Sequence, residues 1–182
     1  MTKTMPSIGI ALAGLSLGLC AGSAPAARAQ GPSTDVQHQA MQKLAFLEGQ
    51  WSGPVTIIRG PGEPLKATQT EDIQYKLDGL VLLIEGKSTG PDGKVGFSAL
   101  ATIAYDESTK TYRFRAYNQG HYVDTELAVT GNGFSWSYAA GPAHISNTMK
   151  LTDKGEWQEW TEVDIGSGPP HKVVDMLLTR QH

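Results

Sequence analysis

From Trp51 onward, apolar and polar residues alternate with a period of two in a series of short segments, the pattern of strands with one buried face. In residues 66–77, Thr68, Thr70, Asp72, Gln74 and Lys76 share one face, while Glu71, Ile73, Tyr75 and Leu77 share the other. Asp78-Gly79 reads as a hairpin turn, and the apolar run Leu80 to Ile84 follows as the next strand. With 51–59 as the first, further strands are predicted near 94–104, 111–118, 121–129, 133–139, 143–152, 156–165 and 172–180. Turn residues punctuate them, among them Pro91-Asp92-Gly93, Gly131-Asn132-Gly133 and Asp153-Lys154-Gly155. Upstream the period lengthens. Ser33, Thr34 and Asp35 offer N-cap oxygens, and Val36, Ala40, Lys43/Leu44 and Leu47 form a helical stripe that stops at Gly49.

About ten short strands with hairpin connections predict an all-β fold. An antiparallel up-and-down β-barrel, its short N-terminal helix plugging one end, accounts for the order better than a Greek-key sandwich and removes exposed edges. No segment between strands has the helical pattern that a parallel crossover needs. Residues 30–182 read as a single domain.

The first thirty residues belong to another pattern. Lys3 precedes an apolar run from Ile8 to Leu19, and a small-residue stretch ends in Ala27-Arg28-Ala29, which predicts a secretory signal peptide over 1–29, cut before Gln30. The run is shorter than a membrane span, so no stable membrane insertion is expected after processing. Bulky Leu19 before Cys20 argues against lipoprotein cleavage at that cysteine. Processing removes Lys3 and Arg28 but no acidic residue, leaving the exported chain more acidic than the formal −3 of the whole. That balance speaks against a nucleic-acid partner. Cys20 is the sole cysteine, so neither an internal disulfide nor a cysteine-based zinc site is available.

The segment Phe46-Leu47-Glu48-Gly49-Gln50-Trp51-Ser52-Gly53 carries a Gly-x-Trp-x-Gly step from a helix end into the first strand. Together with Tyr105 to Tyr112 and Gly155-Glu156-Trp157, it resembles the secreted bacterial lipocalin-like (calycin) barrels of unknown function and, more distantly, the nitrobindin-type haem barrels. The resemblance covers about 41–180. It implies eight to ten antiparallel strands around an internal ligand cavity, and for the distant relatives a haem held by a histidine near the C-terminus. Residues 173–180 contain no histidine; His171 lies at the strand entrance, and His121 and His144 stand beside turns. No cofactor is therefore expected.

Motifs for nucleophilic, metal-dependent or phosphate chemistry are absent from the sequence, and no catalytic residue is assigned. The strand phases point Glu71 and Glu159 inward, where a carboxylate must find a partner or shift its pKa, while Arg113 and Arg115 point outward. An enzyme using the two lumenal carboxylates is the alternative this leaves open. The stronger pattern is apolar: Phe134, Trp136 and Tyr138 share a face against Ser135 and Ser137, as do Phe97 with its alanine neighbours and Met149 with Asn147. The expected site for an apolar small-molecule ligand is Glu71, Tyr75, Phe97, Phe114, Phe134, Trp136, Tyr138, Asn147, Met149 and Glu159. Ala99, Ala101 and Ala116 are too small to fill a barrel of this width.

Overall fold

The computed structural model describes residues 33–182; the expected signal peptide, its cleavage before Gln30 and Cys20 lie outside the described residues. The chain enters through helix α1 (Asp35–Gln42), whose first turn carries Asp35 where a negative charge suits the helix dipole. The Asp35 amide donates to Ser33 Oγ at 3.2 Å. The predicted continuous stripe to Leu47 is interrupted: Leu44 leaves helical dihedrals, and Ala45–Leu47 forms a separate 3₁₀ turn. Ala40, Met41, Leu44 and Leu47 are buried, whereas Val36, expected on the buried stripe, is exposed.

Ten strands follow: β1 (Gly49–Ile57), β2 (Leu65–Lys76), β3 (Val81–Thr89), β4 (Val95–Asp106), β5 (Thr111–Asn118), β6 (His121–Thr130), β7 (Gly133–Ala140), β8 (Ala143–Leu151), β9 (Trp157–Asp164) and β10 (His171–Arg180). Each pairs antiparallel with its chain neighbours, and β1 meets β10 through Trp51↔Arg180 and Val55↔Met176, closing an up-and-down barrel. The closed all-β architecture is the one the alternation and turn spacing predict. At Gly53 the β1 backbone passes so close to β10 that a Cβ would lie 2.1 Å from the Leu177 carbonyl oxygen, so only glycine is accommodated there.

Two local expectations need correction. Leu77 does not continue the inner face of β2; it stands in the β2–β3 turn at φ 50° and is 72% exposed. β3 does not end at Ile84 but runs to Thr89, because Gly86 and Ser88 carry the inward face through a stretch with no large apolar residue.

The two barrel ends differ. At one, α1 and the 3₁₀ turn are tied to the strands: Tyr75 Oη donates to the Met41 carbonyl at 2.6 Å, Tyr112 Oη to Ala40 at 2.7 Å, and Trp51 Nε1 to Leu47 at 2.8 Å. Arg180 donates to the carbonyls of Phe46 and Glu48 while its guanidinium lies 4.2 Å above the Trp51 ring. The opposite end carries the loops 58–64, 90–94 and 165–170 and the tight turns before β6 and β8. There the wall is incomplete. β6 and β7 pair only from Leu127↔Trp136 to Thr130↔Gly133, so the half of β6 from His121 and the half of β7 to Ala140 diverge. One side-chain bond, Thr125 Oγ1 to the Ser137 carbonyl at 2.9 Å, spans the split.

Candidate functional site

A cavity of about 310 Å³ lies inside the barrel between the core and the open end. Its walls come from alternate residues of successive strands: Ile84 and Gly86 of β3, Phe97, Ala99 and Ala101 of β4, Phe114, Ala116 and Asn118 of β5, and Phe134, Trp136 and Tyr138 of β7. The space exists because three of the six β4 and β5 lining positions, 99, 101 and 116, are alanine. Phe114 and Trp136 pack at a centroid distance of 4.5 Å, and Trp136 stacks on Tyr138 at 5.7 Å with an interplanar angle of 14°. Trp157, edge-on to both Trp51 and Phe134, forms part of the floor. His121, Tyr122 and Val123 complete the lining at the mouth, beside the split.

Glu71 and Glu159 both face this cavity. Glu71 is 8% exposed, and its Oε1 accepts from Gln69 Nε2 at 2.7 Å; Ser88 Oγ donates in turn to Gln69 Oε1. In register, Glu71 stands opposite Gly86, where a Cβ would lie 2.7 Å and 2.9 Å from the two carboxyl oxygens. The absence of a side chain at Gly86 thus makes the seat for the Glu71 carboxyl. Glu159 Oε2 accepts from Trp157 Nε1 at 2.9 Å. Enclosure away from bulk water pushes the Glu159 carboxyl up to about 7 against the pull of that hydrogen bond. Burial pushes Glu71 up to about 8, again opposed by its hydrogen bond from Gln69, with the negative charge of Glu159 adding to the rise. Burial is the chief cause in both cases, so each carboxyl keeps its proton to a higher pH than a solvated one does.

Seven residues of the sequence-derived set meet at this cavity: Glu71, Phe97, Phe114, Phe134, Trp136, Tyr138 and Glu159. Three do not line it. Tyr75 faces inward but stands at the closed end, bound to Met41 and pushed up to about 12, chiefly by burial. Met149 is fully buried among core side chains. Asn147 is buried in the β8 wall, where its Oδ1 accepts from Thr161 Oγ1 at 2.6 Å and its Nδ2 has no partner. Gln69, Ser88 and Gly86 are not among the residues expected from the sequence, although Gln69 precedes Glu71 by two residues and so shares its face. Arg113 and Arg115 point outward as expected and pair with Asp124, holding its carboxyl below the usual range.

The cavity does not suit a histidine-ligated haem. Of the histidines, only His121 contributes to its lining, from an exposed position at the mouth, and the inward residues of β10 are Val174, Met176 and Leu178. A second, open concavity of about 1050 Å³ runs over the outer face of β1 to β5 past Asp72, Glu85, Leu100 and Tyr117. It is larger, but most of its lining side chains are polar, whereas the lumen is walled by aromatic and aliphatic ones.

Comparison with solved structures supports the fold. The crystal structure of Rv2717c from M. tuberculosis superposes with a TM-score of 0.60 at 15% identity, covering 79% of this chain and 98% of that one. The S-type phycobiliprotein lyase CPES from Guillardia theta superposes with a TM-score of 0.54 at 7% identity, covering 84% and 99% respectively. None of the curated proteins compared with the chain matches it. A family model described as "Protein of unknown function (DUF1579)" matches residues 33–180, the helix and the whole barrel, and the chain belongs to that family.

Proposed function

We propose that the barrel binds a small, largely apolar molecule in its lumen, and that it does so outside the cytoplasm after loss of residues 1–29. The observation that carries the first part is the lumenal cavity of about 310 Å³ walled by Phe97, Phe114, Phe134, Trp136 and Tyr138, the size and lining of a small-molecule pocket. The second part rests on the leader pattern, with Ala27-Arg28-Ala29 as the cleavage site. Mass spectrometry of protein recovered from an export-competent host should find an N-terminus at Gln30 without lipid; an acylated Cys20 would overturn this.

For the lumenal site, a neutral apolar fluorophore such as N-phenylnaphthylamine should bind and quench tryptophan emission. Trp136→Ala should weaken that binding about tenfold or more while the protein stays folded, as removing a well-packed aromatic anchor does. Loss of folding stability with no probe bound by either form would show instead that the aromatic wall is filled core.

A second reading is proton-transfer chemistry on a lumenal substrate. It is favoured by the two carboxyls facing one cavity, both pushed up by burial toward neutral pH, where a carboxyl can exchange a proton. The lyase among the structural neighbours lends it support by name alone.

A further inference from the structure

The lumen contains two carboxyl groups and no lysine or arginine to neutralise them. β3, β4 and β5 supply only uncharged residues to the lining, β7 supplies aromatic rings, and β9 supplies Trp157 and Glu159. The other titratable groups facing the space are Tyr138 on the wall and His121 and Tyr122 at the mouth. Arg113 and Arg115 flank the inward Phe114 but are engaged outside with Asp124. Arg180 is held at the closed end over Trp51.

Each carboxyl, moreover, is only half satisfied. Glu71 Oε1 takes the Gln69 donor and Glu159 Oε2 takes the Trp157 donor. Among the described residues, no donor reaches Glu71 Oε2 or Glu159 Oε1. Glu71 and Glu159 both line the cavity, so a molecule in it can supply the donors their free oxygens lack, and the glycine at position 86 keeps Glu71 in place where any larger side chain would displace it. The aromatic faces of Phe114, Trp136 and Tyr138 add a surface that attracts cations through the ring quadrupole.

We infer that the molecule taken up here carries a protonated nitrogen, held between the free oxygens of Glu71 and Glu159 with its apolar body against Phe114, Trp136 and Tyr138. This rests on the lumenal binding proposed above and adds the charge of the ligand. An ammonium group supplies hydrogen-bond donors and positive charge at once, so it satisfies both carboxyls and the aromatic wall. A neutral head group brings no charge to draw the pair into its ionised form, and an anionic one opposes that ionisation. Because the empty pair retains protons near neutral pH, an arriving cation favours the ionised carboxyls and displaces protons to solvent.

Isothermal titration calorimetry with three probes of one shape tests this: naphthylmethylamine, protonated at the working pH, naphthylmethanol and naphthoate. The ammonium should bind about tenfold or more tightly than the alcohol, about 1.4 kcal/mol, and naphthoate should bind more weakly than either. Titrations in buffers of different ionisation enthalpy, near pH 6, should show release of about one proton with the ammonium and none with the alcohol. Glu71→Gln and Glu159→Gln should each weaken the ammonium about tenfold or more and bring it within about threefold of the alcohol measured on the same variant. Equal binding of ammonium and alcohol, or ammonium binding without proton release, would overturn the inference and leave lumenal binding standing. Failure of all three probes to bind would overturn both. Proton release is measured on the unaltered protein, so it decides the matter even if a variant does not fold.

Discussion

The two lumenal glutamates give the barrel a pH dependence opposite to that of most carboxylates. An unfolded chain releases their protons near the ordinary value of 4.5, whereas the folded protein keeps them up to about 7 and about 8. Between those limits the folded state binds more protons, so stability falls as pH rises, on the order of 1 kcal/mol per pH unit for each carboxyl. Chemical denaturation at intervals from pH 5 to about pH 8 should show the midpoint falling, with Glu71→Gln removing a large part of the slope; a midpoint that rises over this range would contradict the placement of both groups. Gly86→Ala is expected to preserve the fold but push the Glu71 carboxyl from its seat, reducing ammonium-probe affinity more than stability. Calorimetry beside thermal melts would check this, and a large loss of stability with unchanged affinity would argue against it. Alternation along the strands was enough to find both glutamates and the aromatic wall, because a period of two fixes the face. It carries no height along the barrel axis, and for that reason Tyr75, inward like Glu71, could not be separated from the cavity set by sequence alone. Gln69 and Ser88 were passed over because small polar residues look alike on either face of a strand until the register pairs them.

The best-specified element is the junction of the 3₁₀ turn with β1. Trp51 is 1% exposed, packs edge-on to Trp157 at 5.7 Å and donates to Leu47, while Gly49, at φ 117°, takes a conformation that other residues rarely reach. Trp51→Ala should cost about 3–5 kcal/mol, the range for deleting a buried large aromatic, and a loss below about 1 kcal/mol in denaturant melts would place this residue outside the core. The split between β6 and β7 makes its own prediction. In hydrogen exchange by NMR, amides of β7 beyond Trp136 that point toward β6 should exchange much faster than those of Phe134 to Trp136; uniform protection along β7 would mean the wall is closed. The strand order, the turns and the helix were legible because hairpins join neighbours throughout. The second half of β3 and the split were not, since Glu85 to Thr89 holds no apolar inward residue and ladder continuity has no signature in composition.

At the scale of the whole molecule, the barrel has one end sealed by α1 through Tyr75, Tyr112 and Arg180 and one end open through loops and the β6–β7 split. Strand pairing closes the wall around the lumen apart from that split, so the lumen is where a small ligand can be buried. The rival position is the outer concavity over β1 to β5. An NMR titration of the protein with naphthylmethylamine, following aromatic side chains and backbone amides together, separates the two. Lumenal binding should shift the resonances of Phe114, Phe134, Tyr138 and the Trp136 indole and saturate with one site. Shifts confined to Asp72, Glu85, Leu100 and Tyr117, with the lumenal aromatic resonances unmoved, would contradict it.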